Sequence, residues 1–251
     1  MRIVGIIPAR YDSSRFPGKI IAKLAGKPVI YHVYQKSRKV NLIEDVFVAT
    51  DDERIRSTVV NFGGKVIMTG NEHQSGTDRI AEAAIKIDCD IIVNIQGDEP
   101  LINPLAIARA IEPFLVDRNL VMTTLKKLIT DPSELSNQNV VKVVTDLQGY
   151  ALYFSRSPIP FKREWFEKGN ISLKETPYKH IGLYVYTKDF LLELTQLPQT
   201  PLEKIEKLEQ LRVLEHGHKI KVIETEYENV SIDTPEDLIK AENLFTQKDF
   251  T

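Results

Sequence analysis

The residues best suited to chemistry in this sequence sit in three short polar runs that directly follow, or directly precede, regular-looking segments. The first is Pro8-Ala9-Arg10-Tyr11-Asp12-Ser13-Ser14-Arg15-Phe16-Pro17-Gly18-Lys19, a loop just past the apolar run Ile3 to Ile7. Its three cations, Arg10, Arg15 and Lys19, could surround a polyanion, with backbone amides completing a phosphate cradle. Pro17 limits the loop, and Gly18 permits close backbone approach. The second run is Gln96-Gly97-Asp98-Glu99-Pro100, which follows Ile91 to Ile95. A carboxylate on such a corner suits Mg²⁺, which takes one or two protein carboxylates and leaves its remaining positions to water and phosphate oxygens. The third is Asp233-Thr234-Pro235-Glu236-Asp237, where Asp233 or Thr234 could simply cap a helix beginning at Pro235.

Two patterns are excluded. Gly18-Lys19 is followed by Ile20, and no glycine lies five residues earlier, so the loop is not a Walker A motif. No G-x-G-x-x-G follows the first apolar run, which counts against a dinucleotide oxidoreductase. Segment 73–79, His73-Gln74-Ser75-Gly76-Thr77-Asp78-Arg79, leads into a helix, and its hydroxyls and amides could hold phosphate, read a base edge or serve as a cap. Further on, Arg156 ends the run Tyr150 to Ser155; its donor fork suits a carboxylate. His180, Gly182 and Tyr184 share one face of a strand, where His180 could donate a hydrogen bond to a hydroxyl.

The elements that must position these residues alternate. Ile3 to Ile7, Asp45 to Ala49, Lys65 to Met68 and Ile91 to Ile95 read as continuous apolar strands, separated by helices over Pro28 to Lys39, Glu53 to Phe62 and Thr77 to Lys86. The pattern predicts an α/β fold with a doubly wound, mostly parallel sheet, whose carboxyl edge binds ligand. Val140 to Thr145 and Tyr150 to Ser155 flank a turn at Gly149 and predict a β-hairpin. Segment 157–178 reads as a long connection. Ile181 to Tyr186 and Ile220 to Ile223 are further strands, and Pro235 opens a closing helix. After Pro201 a helix is expected to bury Leu202, Ile205, Leu208 and Leu211, with Glu203, Glu206 and Gln210 on another face. No linker interrupts the chain, so residues 1–251 are expected to form a single domain, with about 130–200 as a β-rich subregion.

Composition narrows the classes. With 251 residues, 42% apolar and 27% charged, the chain is of ordinary globular make-up. A formal net charge of −2 argues against a nucleic-acid partner. The single cysteine, Cys89, excludes an intrachain disulfide. No apolar run is long enough for a membrane span, so the cytoplasm is the expected location.

The motifs also carry a resemblance. Pro8-Ala9-Arg10 with Arg15 and Pro17-Gly18-Lys19 resembles the signature of sugar nucleotidyltransferases. The fuller set, H-Q-S-G-T-D-R at 73–79, Gln96-Gly97-Asp98-Glu99-Pro100 and Asp233-Thr234-Pro235-Glu236-Asp237-Leu238, resembles the 3-deoxy-manno-octulosonate (Kdo) cytidylyltransferases, or CMP-Kdo synthetases. That family more often has Thr, Leu and Pro where this chain has Ser14, Phe16 and Ile20. The resemblance runs from Ile6 to Leu238 and is weakest across 157–178 and near Thr225 to Ser231. It implies the sugar-nucleotidyltransferase fold and CMP transfer from CTP to Kdo with Mg²⁺ on Asp98 and Asp233. It implies nucleotide contacts from Pro8, Ala9, Arg10, Arg15, Lys19, Gln74, Ser75, Gly76, Gln96 and Asp98, with Arg10, Lys19, Asp98 and Asp233 catalytic. Sugar-acid contacts would come from Gln96, Arg156, His180, Tyr184, Glu209 and Gln210. A cytoplasmic homodimer serving lipopolysaccharide synthesis is the implied context. The alternatives are a cytidylyltransferase for 8-amino-Kdo or sialic acid, and a non-catalytic nucleotide-binding regulator.

Overall fold

The computed structural model describes residues 1–73, 75–161 and 177–248. Its strands are β1 (Ile3–Pro8), β2 (Lys23–Leu24), β3 (Lys27–Pro28), β4 (Asp45–Thr50), β5 (Lys65–Met68), β6 (Ile91–Asn94), β7 (Met122–Leu128), β8 (Lys142–Thr145), β9 (Ala151–Ser155), β10 (Tyr178–Thr187) and β11 (Lys221–Glu224). Helices are α1 (Val29–Ser37), α2 (Glu53–Asn61), α3 (Gly76–Ile85), α4 (Pro104–Val116), α5 (Pro132–Ser136), α6 (Lys188–Leu194), α7 (Pro201–Glu206), α8 (Gln210–Glu215) and α9 (Pro235–Lys248).

The main sheet has the order β11-β7-β10-β6-β1-β4-β5, with the β8–β9 hairpin attached to β10. β1 pairs in parallel with β4 and β6, and β4 with β5. Strand residues alternate between two apolar clusters, one on each face. Ile3, Ile7, Val46, Val48 and Val93 pack into the first, and Val4, Ile6, Ala49 and Ile92 into the second. Both faces being covered explains the unbroken apolar runs of the first half. Because β4 and β6 flank β1, the loops after β1 and β6 leave the sheet at the point where strand order reverses, where α/β sheets open a crevice.

The expected parallel sheet is therefore present, with one exception inside it: β10 runs antiparallel to both β6 and β7. Helix α4 and strand β7 have no counterpart in the sequence reading. Asn103 caps α4 by accepting from the Leu105 amide at 2.9 Å. The hairpin forms as expected, with Gly149 at φ +79° in its turn. The helix after Pro201 differs from expectation. Lys207 adopts φ +54° and breaks it into α7 and α8, so Ile205 is 76% exposed. The first of these helices instead buries Glu203, whose carboxylate takes Arg212 Nη2 at 2.5 Å and Nε at 2.8 Å. Most of the long connection over 157–178 lies outside the described residues. Among the described residues no helix is long and apolar enough to cross a membrane.

Candidate active site

The loop after β1 closes on itself before it presents its cations. The Gly18 amide donates to the Tyr11 carbonyl at 2.9 Å with Gly18 at φ +71°, and the Arg54 guanidinium covers the Tyr11 ring. Lys19 follows directly and points back across the sheet edge. Its Nζ donates to Asp98 Oδ2 at 2.6 Å and to Asp233 Oδ1 at 2.9 Å. The Arg15 guanidinium stands 3.1 Å from Asp233 Oδ2. Burial works against the Lys19 ammonium, but the two carboxylates outweigh it and hold its pKa above the ordinary lysine value.

Each aspartate is held by its own corner. Gly97 lets the chain after β6 pass tightly beneath β1: a Cβ there would lie 3.0 Å from the Pro8 carbonyl oxygen and 3.3 Å from Ile7 and Ile20 side-chain carbons. The Ile232 amide donates to the Asp98 carbonyl at 2.9 Å, tying the two aspartate segments together. The α9 cap belongs to Thr234: its hydroxyl accepts from the Asp237 amide at 3.2 Å, and Asp237 Oδ2 accepts in return from the Thr234 amide at 3.1 Å. The Asp233 carboxylate is left facing Lys19 and Arg15.

These residues line a cavity of about 330 Å³ with Pro8, Ala9, Arg10, Ser13, Ser14, Ser75, Gly76 and Gln96. Ser75 caps α3 in a reciprocal box with Asp78, and Gly76 starts that helix 3.3 Å, measured from its absent Cβ, from Pro8. Gln74 lies outside the described residues. His73, which lines the cavity, lies 2.6 Å from Glu82, and hydrogen bonds from Lys86 and His73 pull the Glu82 pKa to about 2.

A second cavity, of about 410 Å³, is lined by His180, Gly182, Tyr184 and Gln210 together with Glu134, Asn139, Lys179, Glu228 and Asn229. Tyr184 is the register partner of Asn94 on β6, two residues before Gln96, so this cavity flanks the strand that delivers Asp98. The Tyr184 hydroxyl donates to Gln210 Oε1 at 3.3 Å, and burial, then Glu209, raises the phenol so that it stays protonated. Glu209 accepts from Thr77 Oγ1 at 2.5 Å, joining the second cavity's helix to the α3 start that borders the first. Burial is also the main cause of the raised Glu209 pKa.

A cytidylyltransferase family model matches residues 4–220. The 3-deoxy-manno-octulosonate cytidylyltransferase of Geotalea uraniireducens (strain Rf4) is 54% identical over 244 residues, 96% of this chain and 97% of that protein. Its namesake from Trichlorobacter lovleyi is 53% identical over 98% of this chain and all of that one. A solved CMP:2-keto-3-deoxy-manno-octonic acid synthetase in complex with CTP superposes with a TM-score of 0.92 at 41% identity, covering 99% and 100% of the two chains. The chain belongs to the 3-deoxy-manno-octulosonate cytidylyltransferase family.

Measured against the residues expected from the family motifs, the first cavity gathers Pro8, Ala9, Arg10, Arg15, Lys19, Ser75, Gly76, Gln96, Asp98 and Asp233. The second gathers His180, Tyr184 and Gln210, with Glu209 adjoining. Arg156 departs from the expectation of a carboxylate-binding fork. Its Nε, Nη1 and Nη2 donate to the main-chain carbonyls of Glu206, Gln138 and Lys207 at 2.7, 2.9 and 3.4 Å. The guanidinium thereby staples the α7–α8 junction to the hairpin. Several residues at or beside the second cavity escaped the sequence reading. Lys179 is 5% exposed and donates to Glu134 and Glu228 at 2.5 Å each. Lys142 is fully buried, its Nζ shared among the carbonyls of Asn137, Val140 and Arg156 at 3.0, 2.7 and 2.6 Å, which shapes the rim at Asn139 to Val141. Lys142 lies in no recognisable motif, and although Lys179 adjoins His180, its burial between Glu134 and Glu228 depends on contacts distant in sequence.

Proposed function

We propose that the chain transfers CMP from CTP to the anomeric 2-hydroxyl of Kdo, forming CMP-Kdo and releasing pyrophosphate by direct in-line displacement. The observation that carries this reading is the meeting of Asp98 and Asp233 at one ammonium, 2.6 and 2.9 Å from their oxygens, on the wall of a cation-rich cavity. Two converging hard carboxylate oxygens are the donor set that Mg²⁺ takes, so the residues fit the ion, and Asp98 and Asp233 would hold it. When bound, Mg²⁺ supplies charge neutralisation for the triphosphate and makes the acceptor hydroxyl easier to deprotonate.

The chain's own residues do the rest. Arg10, Arg15 and Lys19 neutralise the triphosphate and the leaving pyrophosphate. Pro8, Ala9, Gln74, Ser75, Gly76 and Gln96 hold the nucleotide. His180, Tyr184, Glu209, Gln210 and Gln96 orient the sugar acid, and Arg156 supports their walls from behind. Holding two anions that otherwise repel one another is where most of the rate arises. The whole chain acts as one catalytic domain. Leu147 and Leu152, 108% and 63% exposed on the β8–β9 hairpin, support a homodimer formed through the β-rich subregion. The cytoplasm, where CTP is made, is the compartment this substrate favours.

The test is pyrophosphate release from CTP, UTP and ATP against Kdo, 8-amino-Kdo and N-acetylneuraminate. CTP with Kdo should be the productive pair, and Asp98→Asn should lower its turnover by at least about 10³-fold. Near-normal turnover of that variant at saturating Mg²⁺ would remove Asp98 from the mechanism.

A further inference from the structure

β7 and β10 pair in antiparallel fashion, but their register jumps between Ile181 and Tyr184, a bulge at Gly182 and Leu183. The bulge brings two main-chain carbonyls onto one side chain. Thr124 Oγ1, fully buried on β7, lies 2.8 Å from the Leu183 oxygen and 3.2 Å from that of Ile181. The same hydroxyl oxygen lies 2.9 Å from His180 Nε2.

A hydroxyl has one hydrogen to give, and a carbonyl can only accept. If the Thr124 hydrogen pointed at Nε2, both carbonyls would face its bare lone pairs at contact distance in a dry site, an arrangement that carries a penalty. The hydrogen therefore goes to the bulge carbonyls, and Nε2 must be the donor in its pair with Thr124. Burial pushes the His180 pKa down to about 3, so the ring is neutral and carries a single N–H. With Nε2 protonated, Nδ1 is left as an acceptor. Phe154 and Tyr184 flank the ring with centroids 5.0 and 5.4 Å away, which limits its freedom to turn.

We propose that Thr124 is a positioning residue that locks His180 in its Nε2–H tautomer, so that Nδ1 meets a hydroxyl of the sugar acid in the second cavity as a hydrogen-bond acceptor. The proposal rests on the reading of that cavity as the sugar-acid site. It reverses the expectation that His180 donates to a hydroxyl. It also assigns a direction to the bound acid: a carboxylate oxygen against Nδ1 would set lone pair against lone pair, so the carboxylate faces away from His180 and the hydroxyl-bearing side faces toward it.

Two-bond ¹⁵N–¹H correlation spectra of the full-length, ¹⁵N-labelled protein at neutral pH report each histidine tautomer, and His180→Gln identifies the signal among the five histidines. The wild-type protein should show Nε2–H, and its Nδ1 resonance should move when Kdo alone is added. Thr124→Val should give a mixture of tautomers and raise KM for Kdo about tenfold while KM for CTP stays unchanged. Thr124→Ser, which keeps the hydroxyl, should restore both. An Nδ1–H tautomer in the wild-type protein overturns the proposal without recourse to any variant. A folded Thr124→Val protein that keeps pure Nε2–H and an unchanged KM for Kdo overturns the role of Thr124. An Nε2–H signal that Thr124→Val disturbs but Kdo does not move overturns the sugar contact and upholds the tautomer lock.

Discussion

Replacing Lys19 with methionine separates the two tasks that its ammonium performs. Lys19 Nζ is 2.6 Å from one aspartate oxygen and 2.9 Å from the other, so those oxygens stand within about 5.5 Å of each other. Without the cation, their repulsion is roughly 0.8 kcal/mol if water screens it fully and roughly 3 kcal/mol at the effective dielectric of a partly buried site. The Lys19, Asp98 and Asp233 side chains are 12%, 25% and 37% exposed, which places the site between those limits. Arg15 remains beside Asp233 but is 64% exposed, and such a pair offsets little. The variant should therefore lose about 1–3 kcal/mol of stability in urea denaturation. A divalent cation seeks the same oxygens that Lys19 occupies. Removing the lysine removes the competitor and leaves a repulsion that the ion relieves, so calorimetric Mn²⁺ affinity without nucleotide should rise by about tenfold or more. CTP affinity should move the opposite way, because the triphosphate contact proposed for Lys19 is gone. A folded Lys19→Met protein that binds Mn²⁺ no more tightly than the wild type would refute the reasoning.

Two further outcomes follow from charges elsewhere. Arg212→Met leaves the Glu203 carboxylate, 5% exposed, without its bidentate partner. Urea denaturation should register a loss of about 3–5 kcal/mol, much of it recovered by Glu203→Leu in the same chain. Glu82 is held at about pKa 2 by hydrogen bonds from Lys86, then His73, so its stabilisation is present above the ordinary glutamate pKa and disappears as pH falls through about 2. With solvent screening discounted, Glu82→Gln should cost about 1 kcal/mol at neutral pH, and the gap between variant and wild type should narrow steadily below about pH 4.5.

What the sequence discloses about this molecule depends on how local the cause is. β1, β4 and β6 are legible because a strand covered on both faces writes itself as an apolar run. The loop from Arg10 to Lys19 is legible because three cations, Pro17 and Gly18 lie within one short stretch. The Asp233 corner is half legible: either Asp233 or Thr234 could cap α9, and only coordinates assign the cap to Thr234, through its exchange with Asp237. Strand β7 is harder to see, since Thr123, Thr124, Lys126 and Lys127 mix with its apolar positions; Thr123 and Thr124 are wholly buried, with their hydroxyls satisfied by the Ala110 carbonyl of α4 and by the Ile181 and Leu183 carbonyls of β10. Ile205 was expected in the core because a continuous helix would have put it there; one left-handed residue, Lys207, turns it outward. Arg156 has the right chemistry for a carboxylate, but three main-chain oxygens, brought together only by tertiary folding, reach it instead.

The segment from Thr225 to Asp233 joins the two cavities. The Tyr227 hydroxyl donates to Glu99 Oε2 at 3.1 Å, directly beside Asp98. Burial, then the neighbouring Asp98 charge, pushes the Glu99 pKa up to about 7, so this corner does not carry two full negative charges at neutral pH. One residue on, Glu228 bonds Lys179 and Lys127, and Glu228 and Asn229 line the second cavity. Ile232 then bonds the Asp98 main chain, and Asp233 enters the first cavity. One short run of chain thus supplies a wall of each cavity and the second carboxylate. Backbone continuity along this run fixes the spacing between the two cavities, and the run ends at the aspartate that meets Lys19.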